Sequence, residues 1–197
     1  MHEFLEINNN WWYKKYHKNL KKRYWTFTIA LSLFLQRDGG KIVETGCQRH
    51  KDDWGGGCST TIFGDFCKHY NKQLVTIDNN PENLEVAKNE TKEFADHIKY
   101  IFSESVEYLK RNSGFIDLLY LDSMDCKENP VDDNTEPQTH ALNEFKAVEG
   151  KLHDESIVLI DDNLFANGGK TKLLKEYLIQ KGWTMLMDYK QSLWIKK

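Results

Sequence analysis

No two cysteines in this 197-residue sequence are spaced as CxxC. The four that exist, at 47, 58, 67 and 126, therefore exclude a zinc ribbon. Pairing Cys47 with His50, or Cys67 with His69, fits no usual ligand spacing, so reduced thiols in a cytoplasmic protein are the expectation. An excess of positive charge is also missing. The formal net charge is -3, which is not the footprint of a nucleic-acid binder. The one basic cluster, Lys14, Lys15, Lys18, Lys21, Lys22 and Arg23, reads as a solvated helix face. No apolar run is long enough to span a bilayer. The run from Trp25 to Leu35 follows basic residues, as in a signal peptide. Its lead is too long, contains acids and is followed by "QRDGG", a poor cleavage site, so a buried helix is expected. Repeats, low-complexity segments and an obvious linker are absent as well. We therefore expect one domain over 1–197, with a helical extension or lid over 1–38 and a core over 39–197.

What is present is a regular alternation. Apolar residues make up 40% and charged residues 29%, a balance that supports a folded core. Short β-branched runs at 41–44, 73–78, 97–102, 115–122 and 156–161 read as buried strands. Between them lie helical patterns at 59–71, 81–94, 105–112 and 138–152, with another at 169–182. Ser59 is the expected N-cap of the first, and Pro81 opens the second, where a missing N–H does no harm. "WTMLMDY" and "SLWIKK" close the chain as two strands. This order predicts an α/β fold: a Rossmann-like, doubly wound, mostly parallel seven-stranded sheet with a C-terminal antiparallel strand, preceded by N-terminal helices.

Ligands of such sheets bind beyond the carboxyl ends of the strands. The residues there are Glu44 and Gly46, Asp78, Glu104 and Ser105, Asp122 and Asp125, then Asp161, Asp162 and Asn163. The acids would repel phosphate, and no GK[ST] is present, so a P-loop is excluded. A compact GxGxxG is also missing. An acid ending the second strand suits two ribose hydroxyls, and an acidic rim suits a cation. S-adenosylmethionine has a ribose, a sulfonium and an amino-acid end. Its carboxylate would suit the free N–H groups of the helix near Ser59.

The segments "VETGC", "GGGCST", "VTID", "SESVEYL", "LLYLDSMD" and "VLIDDN" resemble those of class I S-adenosylmethionine-dependent methyltransferases. The resemblance extends over about Lys41 to Lys197. It implies that Glu44 and Gly46 begin the cofactor loop and that Gly57 and Ser59 end it, with "QRHKDDWGG" inserted between. It further implies that Asp78 holds the ribose and that Glu104 and Ser105 lie near the adenine. Asp122, at the end of the fourth strand, adjoins the same cofactor site.

A narrower likeness is to the catechol O-methyltransferase-like, metal-dependent group, through "YLDSMD" and "LIDDN". It implies Asp122, Asp162 and Asn163 as ligands of Mg2+ or another divalent cation, which would acidify an acceptor's hydroxyls. That group carries a lysine three residues after the first Asp. Asp125 stands there in this chain, so the local candidates for a base are Asp125 and His140. The expected activity is methyl transfer from S-adenosylmethionine to an oxygen of a small-molecule acceptor, with or without a metal. A metal-independent N-methyltransferase and a non-catalytic cofactor-binding module stay open. No nucleic-acid or membrane partner is expected, and a homodimer is allowed for.

Overall fold

The computed structural model describes residues 11–55, 58–112, 114–127, 129 and 133–196. Seven strands form one sheet of order β3-β2-β1-β4-β5-β7-β6. These are β1 (Lys41–Thr45), β2 (Gln73–Asp78), β3 (Ile98–Phe102), β4 (Ile116–Leu121), β5 (Leu152–Ile160), β6 (Trp183–Asp188) and β7 (Ser192–Lys196). The first five pair in parallel, and β7 runs antiparallel between β5 and β6. Because β1 pairs with both β2 and β4, the chain order reverses there, and the crevice of the sheet opens at that point.

Strand periodicity divides the core in two. Ile42, Leu118, Tyr120, Ile157 and Leu159 face one side, toward α1 (Trp11–Leu20), α2 (Tyr24–Gln36) and α3 (Ser59–Tyr70). Val43, Leu119, Leu121, Val158 and Ile160 face the other. Leu109 of α5 (Ser105–Arg111), Phe145 of α6 (Thr135–Val148) and Leu174 of α7 (Lys172–Gln180) cover that second face. α4 (Pro81–Glu90) connects β2 to β3. Its N-cap, Asn80, accepts from Glu82 N at 2.9 Å, with Pro81 at the first helical position. Among the described residues no helix is long and apolar enough to cross a membrane.

Several boundaries differ from expectation: α4 ends at Glu90 rather than 94, β5 starts at Leu152 rather than 156, and three helix starts move. Cys58, not Ser59, occupies the N-cap of α3, so Ser59 is the first helical residue. α6 starts at Thr135, because Asp133 accepts from both Thr135 N at 2.9 Å and Thr135 Oγ1 at 2.6 Å. Pro137 then falls in the first turn, where its missing N–H costs nothing. α7 starts at Lys172 because Gly168 and Gly169 have φ of +87° and +55°, which no helix accommodates.

The aromatic amino-terminal segment is built into the core. Trp12 and Tyr16 are fully buried. Trp12 Nε1 donates to Thr28 Oγ1 at 2.8 Å, and Tyr16 Oη donates to Asp65 Oδ2 at 2.5 Å. Trp11 stacks on His69 of α3 at 4.1 Å, while Tyr13 is exposed.

Phe63 of α3 is fully buried against Phe27 and Tyr120, at centroid distances of 5.4 and 5.3 Å, so it joins α2, α3 and β4. Phe63→Ala should cost about 3–5 kcal/mol, read as a lower urea midpoint with an unchanged slope.

Candidate active site

The loop after β1 is seated by its backbone. Gly46 N donates to Ile77 O at 2.8 Å, and Asp122 N donates to Thr45 O at 3.0 Å. Gly46 has φ +78°, and a Cβ added there would lie 2.4 Å from Asp122 O. Only glycine lets the ends of β1 and β4 approach this closely. Glu44, just before it, lies wholly within the core. Its Oε2 accepts from Thr60 Oγ1 at 2.8 Å and from Thr76 Oγ1 at 2.7 Å, which ties β1 to β2 and to the start of α3. Glu44, expected at the cofactor site, is fully buried and is not among the residues lining the hollows beside this loop. Its carboxyl lies beneath the site and fixes the elements that shape it. Ser59 is likewise buried, and Gly57 lies outside the described residues.

One hollow, of about 60 Å³, opens beside this loop. Gly46, Asp78, Glu104, Ser105, Ser123 and His140 line it. The Asp78 carboxylate is oriented from three sides: Cys47 N at 3.1 Å, Asn80 N at 2.8 Å and Asn83 Nδ2 at 3.2 Å. Asn79 Nδ2 donates to Glu104 Oε1 at 2.8 Å across the mouth. His140 Nε2 lies 3.1 Å from Ser105 Oγ and 3.3 Å from Glu144 Oε1, and Ser123 Oγ donates to that same oxygen at 2.7 Å. The hydrogen bond to buried Glu144 raises the His140 pKa. His140 thus stands with Asp78 and Ser105, away from Asp125.

A second hollow, of about 250 Å³, lies on the other side of the β4 end. Asp122, Asp125, Asp162, Arg23, Arg49 and Phe165 are among its lining residues. Asp125, expected as a base, is instead held bidentately by Arg49 at 2.6 and 2.9 Å. Behind the wall is a buried charge cluster. Arg23 Nε lies 3.0 Å from Asp161 Oδ2, and the Tyr120 hydroxyl donates to the same oxygen at 2.6 Å. Lys170 Nζ lies 2.8 Å from Asp122 Oδ1 and 3.5 Å from Asp162 Oδ2. Burial raises the Asp122 carboxyl, and the Lys170 ammonium opposes only part of the rise. Asp162 is raised for the same reasons. Burial would raise Asp161 too, but the Arg23 guanidinium and the Tyr120 hydrogen bond hold it below its ordinary range.

The expected metal ligands do not assemble. Lys170 places its ammonium between Asp122 and Asp162, where a divalent ion would have to sit. Asn163 is turned into the β6–β7 hairpin. Its Nδ2 donates to Asp188 Oδ1 at 2.7 Å and to Tyr189 O, and its Oδ1 accepts from Thr171 Oγ1 at 2.5 Å. Among the described residues, no group of three His, Cys, Asp or Glu side chains converges as a metal site. A cation between these aspartates is thus supplied covalently, and the residues present do not fit a divalent metal.

Arg23, Arg49, Glu144 and Lys170 were not expected at the site. Arg23 is the correction to the solvated basic face: Lys14, Lys15, Lys18, Lys21 and Lys22 are exposed, but Arg23 is only 8% exposed. For Lys170 the signal was the preceding "GG". A Cβ at Gly169 would lie 1.9 Å from Asp162 O, so only glycine lets the chain double back and deliver Lys170.

A sheet of this order, with its crevice between β1 and β4 and an aspartate ending β2, is the architecture of class I S-adenosylmethionine-dependent methyltransferases. The chain belongs to the family whose model is described as a methyltransferase domain, which matches residues 54–163, more than half of its length. No curated protein matches it by sequence. Among solved structures it is similar to an SAH-bound methyltransferase of Podospora anserina, at 14% identity and TM-score 0.62, covering 99% of this chain and 86% of that one. It is similar to the O-methyltransferase NovP, at 12% identity and TM-score 0.64, covering 89% and 80%. A third is the calicheamicin methyltransferase CalS11, at 11% identity and TM-score 0.63, covering 99% and 90%. At these identities the likeness concerns the fold.

Burial pushes the Glu44 carboxyl from its ordinary 4.5 up to about 7, against the pull of the Ser59, Thr76 and Thr60 hydroxyls. The folded chain therefore keeps this proton to near neutrality, while the unfolded chain loses it near 4.5. Between these values the native state binds more protons, so Glu44 subtracts stability as pH rises. The stability of Glu44→Gln relative to the unsubstituted chain should climb from pH 4.5 to 7 and then level off. Urea denaturation at half-unit pH steps measures this, and a flat difference would show that Glu44 ionises alike in both states.

Proposed function

We propose that the protein transfers the methyl group of S-adenosylmethionine to an oxygen of a small-molecule acceptor, without a divalent metal. The observation that carries this reading is the pair of hollows on either side of the Gly46–Asp122 contact, at the reversal point of the sheet. The first has the donor set that suits S-adenosylmethionine: the Asp78 carboxylate for ribose hydroxyls, polar groups of Ser105 and His140 farther along, and no side chain at Gly46. When bound there, that cofactor supplies a methyl group made electrophilic by its sulfonium.

The chain's own residues do the rest. Asp78 accepts hydrogen bonds and fixes the orientation of a ribose. Glu44, acting through Thr60 and Thr76, holds the start of α3 and the end of β2 in register. Asp122 and Asp162 face the second hollow with carboxyls raised above their ordinary range, and each is suited to receive the proton an acceptor hydroxyl loses. Lys170 neutralises part of their charge and keeps both from swinging apart. Alignment of acceptor oxygen and methyl carbon across the Gly46–Asp122 contact is the main contribution of such a site. The similarity to O-methyltransferases supports oxygen as the acceptor atom. The net charge of -3 supports a small molecule over a nucleic acid.

Calorimetric titration with S-adenosylhomocysteine should show one site per chain. Asp78→Asn should weaken it roughly 10- to 100-fold, the usual loss for a hydrogen bond to a charged acceptor. The absence of heat from the unsubstituted chain would overturn the assignment. Once an acceptor is found, turnover should be unchanged by EDTA, and Asp122→Asn should lower kcat by about 10²-fold or more. Loss of turnover in EDTA, restored by magnesium, would overturn the metal-free reading.

A further inference from the structure

A third hollow, of about 460 Å³, adjoins the second and shares Arg23, Gly55 and Lys190 with it. Among the described residues, its lining carries five cations, from Lys18, Lys21, Lys22, Arg23 and Lys190, together with the ring of Trp54 and no acid. In a chain of net charge -3 this concentration is out of balance. Several lysines elsewhere form ion pairs. Lys15 reaches Asp65 at 2.6 Å, Lys175 reaches Asp188 at 2.7 Å, and Lys181 reaches Glu149 at 3.0 Å. Among the described residues, Lys18, Lys21, Lys22 and Lys190 form no ion pair. The Lys190 ammonium lies over the Phe165 ring, at 6.0 Å.

Two further features show that the wall is built rather than incidental. Arg23 is 8% exposed and is aimed by Asp161 and by the Gly55 carbonyl, which Nη1 reaches at 2.6 Å. Lys21 has φ +47°, a left-handed conformation that costs a non-glycine residue about 1 kcal/mol or more. It sits in the one-turn 3-10 segment Lys21–Arg23 that joins α1 to α2, and the bend brings the consecutive cations to the hollow's edge. Uncompensated like charges in a concavity raise the local concentration of anions and bind those that carry more than one charge.

We infer that the acceptor is a phosphate-bearing small molecule. Its anionic group is held by Lys18, Lys21, Lys22 and Lys190, its apolar body lies against Trp54, and its reacting oxygen passes Gly55 and Arg23 to reach Asp122 and Asp162. This inference rests on the reading of the second hollow as the acceptor side. The charge pattern suits it, since cations grip the far end while carboxylates receive the proton at the near end.

Pyrophosphate serves as the probe. Calorimetry at low salt should show pyrophosphate binding to the unsubstituted chain, and the triple variant Lys18→Gln, Lys22→Gln, Lys190→Gln should weaken it at least 10-fold. The thermal midpoint and the affinity for S-adenosylhomocysteine should stay unchanged in that variant. Pyrophosphate that binds both chains equally, or neither, overturns the inference. An oligonucleotide or a phosphatidylserine vesicle bound at least 10-fold more tightly than pyrophosphate overturns it in favour of a macromolecular surface. If S-adenosylhomocysteine binds while pyrophosphate does not, only this inference falls. If S-adenosylhomocysteine does not bind, the methyl-transfer reading falls, whatever pyrophosphate does.

Discussion

The C-terminal edge of the sheet depends on one buried cluster of charge. Asp122, Asp161 and Asp162 share Arg23 and Lys170, and the Tyr120 hydroxyl bridges toward two of the aspartates. Three carboxyls face two cations, and burial raises two of them, Asp122 and Asp162, while Asp161 is held low by Arg23. Ionised groups removed from water persist only when paired and hydrogen-bonded, so each member constrains the others. Through these contacts the cluster joins the Lys21–Arg23 turn, β4, β5 and the turn before α7. Gln191, ahead of β7, adds to it by donating to Tyr120 and Asp161 and accepting from Thr26. Removing one partner would leave an uncompensated charge in the interior, which costs more than the pair itself contributes.

That constraint explains how one edge can hold hollows of different character. On the β1 side of the Gly46–Asp122 contact, the carboxylate of Asp78 is fixed by backbone and amide donors and stays open to a neutral polyol. On the β5 side, the aspartates are balanced from within by Lys170, so their outer oxygens face the hollow without a free ion to complete them. Farther out, the basic turn Lys21–Arg23 reverses the sign of the field. A polar gradient along one groove gives a bound molecule a preferred direction, and direction is what a displacement reaction requires.

The resemblance to metal-dependent enzymes shows how far a local motif reaches. "YLDSMD" and "LIDDN" place Asp122 and Asp162 at adjacent strand ends, and the structure agrees about that placement. What fills the space between them was decided by Lys170, a residue from neither motif. Asn163 was taken from the set by hydrogen bonds to Asp188 and Thr171, partners from the hairpin and from the turn before α7.

Alternating apolar and polar runs determined the strands, their parallel pairing and the strand ends where Gly46, Asp78, Asp122 and Asp162 stand, because those features follow from local periodicity and the connection rules of parallel sheets. The same reading carried Arg23 to the surface with its lysine neighbours, since sequence neighbours share composition but not burial. Tertiary structure alone decided that Glu44 lies under the site, that Asp125 is held by Arg49 and that His140 belongs with Ser105. It also set the Lys170 ammonium between the two aspartates. Each of these is a contact between groups far apart in the chain, and such contacts are fixed by which faces the packed elements bring together, a quantity that no window of sequence contains.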